Sequence, residues 1–296
     1  MSAKNNNKDF SNKVVIITGS SSGIGQSAAV LFAKLGASIT IHGRSEAGLK
    51  KTIDLILNSG ISKDRIHSVR GDITNETVLK SLIDETIKKF GKIDVLINNV
   101  GLAGKEALID ETIKKFGKID VLINNVGLAG KEGEKNPRSM ENLDYILNVN
   151  LKSIIALTEL AIPHLEKTKG NIVNVSSILS TKPSPSMAYY CISKAALDHF
   201  ARNYAAILAP SGIRINNLNP GATETSFLPR TGVPEEMMKK MNKAVAATIP
   251  LGRWGNSEEM AEFLAFIASE KASYMTGQII NVDGGILIAS PPMKFD

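Results

Sequence analysis

One cysteine, Cys191, in 296 residues has nothing to pair with inside the chain, which excludes a disulfide scaffold. Four histidines, His42, His67, His164 and His199, are too scattered to give the ligand spacing of a zinc site. Long apolar runs are missing: stretches such as Val14 to Ile17 fall far short of the roughly 20 residues a membrane-spanning helix needs. The polar start, Met1 to Asp9, has no apolar signal core, so a soluble, unsecreted, cytoplasmic protein is expected. The excess of 6 positive charges is spread in short pairs such as Lys88 and Lys89, which argues against a nucleic-acid partner. In such a chain the tripeptide Arg70-Gly71-Asp72 carries no adhesion meaning, and the glycosylation patterns at Asn75 and Asn174 meet no glycosylating machinery.

The residues that are present, 43% hydrophobic and 22% charged, suffice for a large core. Short β-branched runs alternate with helical patterns. Val14 to Thr18 reads as a strand and Gln26 to Leu35 as a helix; Ser38 to Ile41 and Ile66 to Val69 are further strands, and Glu76 to Phe90 is a helix stopped by Gly91 before the strand Ile93 to Ile97. Helices around Leu143 to Leu165, Tyr190 to Leu208 and Glu258 to Ala268 alternate with strands Asn171 to Val175, Ile213 to Leu218 and Gln278 to Val282. Continuous apolar strands between helices specify an α/β fold, a doubly wound parallel sheet of Rossmann type with ligands at the carboxyl ends of its strands. No Pro- or Ser-rich linker divides it, so residues 13–290 are expected to form one domain behind a polar tail, 1–12, with a substrate lid over about 226–255. That lid offers Phe227, Leu228, Met237, Met238, Met241 and Trp254 as an apolar wall.

One segment occurs twice. Leu82 to Glu106 reads LIDETIKKFGKIDVLINNVGLAGKE, and Leu108 to Glu132 repeats those 25 residues unchanged at a period of 26. Solenoids need three or more diverged units, so a local duplication is the better reading. The sheet position that this strand would take lies between the first strand and Asn171 to Val175, covered on both faces, and only one copy is expected to fill it. The first copy continues an uninterrupted amphipathic helix from Glu76, whereas the second follows Gly101-Leu102-Ala103-Gly104, a poor helix start. The expectation is therefore that Ile93 to Asn98 is the sheet strand, with most of Leu102 to Gly127 outside the sheet on the rim of the site.

Two patterns carry chemistry. Thr18 to Gly25 reads T-G-S-S-S-G-I-G between the first strand and first helix, where backbone N–H groups and the positive helix end can hold a pyrophosphate. Tyr190 and Lys194 stand at i and i+4, on one helix face, so that the ammonium should lower the phenol's pKa toward neutrality. Ser177 follows the strand Asn171 to Val175. Ser176 and Tyr189 beside them are read as packing residues, since only Tyr190 lies four residues before Lys194.

Together with Asp72, Asn98-Asn99-Val100-Gly101, Asn150, and Pro220-Gly221 with Thr225, these residues make the chain resemble the short-chain dehydrogenase/reductase family from Val14 to Gly285. The resemblance implies a catalytic set of Asn150, Ser177, Tyr190 and Lys194: Tyr190 as general acid/base, Ser177 bonded to the substrate oxygen, Lys194 on the nicotinamide ribose and Asn150 holding a water. It implies cofactor contacts at Thr18, Gly19, Ser21, Ser22, Gly23, Ile24 and Gly25, at Asp72 and Ile73, at Asn98, Val100 and Gly101, at Tyr190 and Lys194, and at Pro220, Gly221, Thr223 and Thr225. Val100 stands where the family usually has alanine. The implied activity is interconversion of a carbonyl and a secondary alcohol on a small molecule, by a homodimer or homotetramer. At the end of the second strand, Ile39 to Arg44, no acidic residue awaits the ribose 2′-OH of NAD, and Arg44 suits a 2′-phosphate, so NADP(H) is expected over NAD(H). A dinucleotide-binding sensor or scaffold whose turnover the duplication has impaired is the alternative.

Overall fold

The computed structural model describes residues 9–99, 119–131, 133–225 and 235–289. Eight strands form one parallel sheet: β1 (Val14–Ile17), β2 (Ser38–Gly43), β3 (Ile66–Arg70), β4 (Val95–Asn98), β5 (Val121–Asn124), β6 (Asn171–Val175), β7 (Arg214–Pro220) and β8 (Ile279–Val282), in spatial order β3-β2-β1-β4-β5-β6-β7-β8. Eight α-helices are described: α1 (Gly23–Lys34), α2 (Glu46–Asn58), α3 (Glu76–Phe90), α4 (Met140–Leu147), α5 (Ser153–Leu165), α6 (Ala188–Leu208), α7 (Glu235–Ala246) and α8 (Ser257–Ala268).

Side chains on successive strand residues point to opposite faces, and this sorts the core into two layers. Ile16, Leu96, Leu122, Ile172 and Ile215 pack with α3, α5 and α6 through Leu82, Leu157 and Leu197. Val15, Ile17, Val95, Ile97, Val121, Ile123 and Val173 pack with α1, α2 and α8 through Phe32, Ile56 and Leu264. The 29-residue helical run from Met140 to Thr168 is long and apolar enough to cross a membrane by length and composition, but Ile154, Leu157, Ala161 and Leu165 are buried on the sheet.

The sheet corrects the expectation for the repeat. Both copies are in it: β4 pairs β5 in parallel, Val95 opposite Val121 and Asn98 opposite Asn124, and β5 pairs β6. An interior strand of a parallel sheet presents the same ladder on both edges, so an identical strand can be added beside it in phase. The chain between Asn98 and Val121 exceeds the roughly dozen residues that a parallel crossover requires. Leu122 and Ile123 are fully buried, each contributing about 1.5 to 3 kcal/mol of apolar burial, and this outweighs leaving the run on a rim. The part of the expected insertion before Ile119 lies outside the described residues.

Candidate functional site

The carboxyl ends of the strands surround a cavity of about 660 Å³. One end is the turn between β1 and α1. Gly19 and Gly23 have φ of 66° and 57°, a region that costs a side chain. A Cβ on Gly25 would lie 2.4 Å from Asn99 Nδ2 and 2.7 Å from the Gly19 carbonyl, so glycine is needed there for close packing. Ser22 caps α1 without a side-chain hydrogen bond and the first turn has no acidic residue. The helix end is therefore open to an anion, which is what a pyrophosphate requires.

Gly19, Ser21, Ser22, Gly23, Ile24, Arg44, Asp72, Ile73, Tyr190, Lys194, Pro220, Gly221, Thr223 and Thr225 all line the cavity. Thr18 and Gly25 do not; they are buried beneath it, where Thr18 Oγ1 accepts from the Asn99 N–H at 2.9 Å. Asn98 is a correction. Its side chain is buried on the α3 side of the sheet, and the cavity is lined by Asn99. Val100 and Gly101 fall outside the described residues. Asn125, Val126 and Gly127 of the second copy also line the cavity, a contribution that a sheet with room for one copy does not predict.

At the other end of the cavity β6 delivers Ser177 and α6 delivers Tyr190 and Lys194, all three buried. Tyr190 and Ser177 stand side by side on the cavity wall, near enough for the Ser177 hydroxyl to act on the phenol's pKa. Lys194 Nζ lies 5.7 Å from the Tyr190 ring centroid and donates to the carbonyls of Val126 at 3.0 Å and Val175 at 2.9 Å. The expected lowering of the phenol pKa is corrected in the chain alone: burial pushes Tyr190 up to about 12, and the nearby Ser177 hydroxyl only partly opposes it. Burial likewise pushes Lys194 down to about 8, opposed by Asp198 one helical turn on. Asn150 sits in a π-helical turn, Asn148–Lys152, and its side chain is committed to Leu128: Oδ1 accepts from the Leu128 N–H at 3.0 Å, and Nδ2 donates to the Leu128 carbonyl at 2.9 Å and Ser193 Oγ at 3.0 Å. Ser176 and Tyr189 are held elsewhere, Ser176 Oγ by the Lys194 carbonyl and Tyr189 by the Arg138 carbonyl, in keeping with packing roles.

The sequence comparisons point to one family. A family model described as short chain dehydrogenase matches residues 13–107, and one described as enoyl-(acyl carrier protein) reductase matches residues 104–287. The chain belongs to the short-chain dehydrogenase/reductase family. It is 34% identical over 277 residues to a 3-oxoacyl-(acyl-carrier-protein) reductase of Thermotoga maritima, covering 93% of this chain and 98% of that one. Over 276 residues it is 32% identical to the meso-2,3-butanediol dehydrogenase of Serratia marcescens, covering 93% and 95%. A crystal structure of a short-chain dehydrogenase/reductase of unknown function from Caenorhabditis elegans, with cofactor, superposes with a TM-score of 0.75 at 38% identity, covering 95% of this chain and 97% of that one. Like the dehydrogenases and reductases of its family, the chain is an NAD(P)-dependent oxidoreductase of the carbonyl and CH–OH type. The two family models meet at the repeat, each taking one copy.

The substrate end differs from expectation in its details. Trp254 lines the cavity, its indole N–H held by the Asn242 carbonyl at 2.9 Å, but Met237 is exposed. Leu179, Met187, Val245 and Ile286 complete the apolar wall. Phe227 and Leu228, and the side chains of Met238 and Met241, fall outside what is described.

Proposed function

We propose that the protein is an NADP(H)-preferring reductase of small carbonyl compounds, with Tyr190 as the proton donor. Its carrying observation is the cluster of Ser177, Tyr190 and Lys194 on the wall of the cavity whose opposite end is the open α1 terminus. The dinucleotide, when bound, supplies the hydride; the chain supplies position and charge. Ser177 orients the carbonyl oxygen, and the Tyr190 hydroxyl gives up its proton to that oxygen as the alcohol forms. Lys194, cationic below about pH 8, stabilises the phenolate left behind. Asn150 fixes the loop of the second repeat against α6. Arg44, exposed at the cavity mouth with Ser21 and Ser45 beside it, would take the 2′-phosphate.

The apolar wall of Leu179, Met187, Val245, Trp254 and Ile286 suits a compact, largely apolar ketone. A cytoplasmic homodimer or homotetramer is the assembly we expect; Ile192 and Ile207 on α6, both exposed, support association through that helix. Tyr190→Phe removes the proton donor and leaves the cavity, so NADPH-dependent ketone reduction should fall by about 10² or more with NADPH affinity little changed. Near wild-type kcat in that variant would sink the mechanism. Arg44→Ala should weaken NADPH far more than NADH, and equal losses would remove Arg44 as the phosphate partner.

A further inference from the structure

The two loops of the repeat do different jobs. After β4, the Asn99 N–H donates to Thr18 Oγ1 at 2.9 Å and Asn99 Nδ2 to the Gly19 carbonyl at 2.8 Å, so this loop braces the glycine turn. After β5, the Val126 carbonyl accepts from Lys194 and Leu128 clasps Asn150, while a Cβ on Gly127 would lie 3.3 Å from Lys194 Nζ. Among the described hydrogen bonds none runs from the second loop to Thr18 or Gly19. The loops are joined by Asn125, whose Nδ2 donates to Asn99 Oδ1. With only one copy of the repeat, a single Asn-Asn-Val-Gly loop would have to make both sets of contacts.

The seam between the copies shows that they do not continue one another. Asn124 Nδ2 donates to Asn174 Oδ1, and Asn174 Nδ2 to Asn217 Oδ1, each at 3.0 Å, in a buried ladder that ends at Asp198. Between Asn98 and Asn124, opposite each other in register, the ladder stops: Asn98 Nδ2 and Asn124 Oδ1 are buried without partners.

Resting on the dinucleotide reading above, we propose that the added strand loosens the coupling of nucleotide binding to hydride delivery: the chain grips the adenosine end of NADP(H), while β5, standing between β4 and β6, sets Ser177 and Tyr190 one strand spacing farther from the glycine turn than a one-copy sheet would, so that the nicotinamide is seated beside Tyr190 in only a small fraction of the bound state. Each strand adds about 4.8 Å and about 20 to 25° of twist. The dinucleotide has a fixed covalent length, and a misplacement of about 1 Å already costs about 10² in rate, so an offset of a whole strand spacing throttles turnover without abolishing the fold or the phosphate site.

Saturation-transfer difference NMR of NADP⁺ with the intact chain reads this directly. The adenine protons should be strongly saturated and the nicotinamide protons only weakly; comparable saturation at both ends overturns the proposal. A second measurement uses a 270-residue chain lacking one period of 26. Removing residues 82–107 or 107–132 yields the same sequence, so the variant is unambiguous. By calorimetry, 2′,5′-ADP should bind both chains alike, whereas NADPH should bind about tenfold or more tighter to the shortened chain. Its NADPH-dependent reduction of 2,3-butanedione should exceed that of the intact chain by about 10². Equal NADPH affinity and equal turnover in the two chains would refute the uncoupling and leave the function standing. If neither chain binds 2′,5′-ADP or NADPH, the dinucleotide reading fails and this inference falls with it.

Discussion

His42, near the end of β2 and lining the cavity beside Arg44, gives the protein a titration that can be followed without any substrate. Its imidazole is 1% exposed, and burial pushes its pKa from 6.5 down to about 4 against a weaker opposing contact with the Gly71 backbone. Between those two values the unfolded chain binds a proton that the folded chain refuses, so stability falls as pH drops from 6.5 toward 4 and is unaffected by this group above 6.5. Each pH unit inside that window is worth about 1.4 kcal/mol, so the loss amounts to about 2 kcal/mol at pH 5 and levels off at about 3 kcal/mol below pH 4. His42→Gln removes the titration while keeping a side chain of similar length. Urea unfolding followed by circular dichroism at pH 7.5 and pH 5 should show the gap between wild type and variant moving by about 2 kcal/mol in the variant's favour at the lower pH. Parallel stability profiles over that range would refute the assignment, because a pure packing loss is the same at both pH values.

Gly25→Ala places a methyl group against Asn99 Nδ2 and the Gly19 carbonyl, and the backbone carbonyl cannot move as a side-chain end can. It should cost about 1 to 3 kcal/mol and weaken 2′,5′-ADP binding by tenfold or more; unchanged affinity in calorimetry would show that the turn has room to spare. Hydrogen exchange should be slow at both Val95 to Ile97 and Val121 to Ile123, since each strand is paired on both sides. Fast exchange in either run would mean that it leaves the sheet.

Most strands are legible in the sequence because parallel strands covered on both faces leave continuous β-branched runs, as in Val14 to Ile17 and Ile39 to Ile41. The cavity residues are legible where a motif fixes a backbone shape or a helix face, as with Gly23 at positive φ or Tyr190 and Lys194 one turn apart. Asn98 is misassigned by motif matching, although strand alternation corrects it. Counting two residues from Leu96, which packs on the α3 side, puts Asn98 on that same buried side and leaves Asn99 to reach the cavity. The direction of the Tyr190 shift cannot be read from spacing, because it depends on how completely the neighbouring chain excludes water from the phenol. The place of the second copy is hidden for a different reason: counting one slot between neighbours treats the sheet interior as full, when a parallel ladder has no intrinsic strand number.

An inserted strand must satisfy the local chemistry at both of its edges, and the duplication does so unevenly. The backbone is served completely, since β5 repeats the register of β4 and no new sheet edge is created. The apolar faces are served too, with Val121 and Ile123 falling in the same layer as Val95 and Ile97. Polar residues copied along with the strand are harder to place, because a partner that suited one copy now faces two. At the amino end Asp94 and Asp120 come side by side, and Lys13 answers both: it is hydrogen-bonded to Asp120 and lies 3.9 Å from Asp94, which Lys92 also meets at 3.0 Å. At the carboxyl end no described cation meets the pair, and the buried amides of Asn98 and Asn124 are left with an unpaired donor and acceptor. An unpaired buried polar group costs about 1 to 3 kcal/mol, a small charge against a core of this size. The heavier cost falls where distance itself is the function, in a cleft that has to align one end of a ligand with the glycine turn and the other with Tyr190.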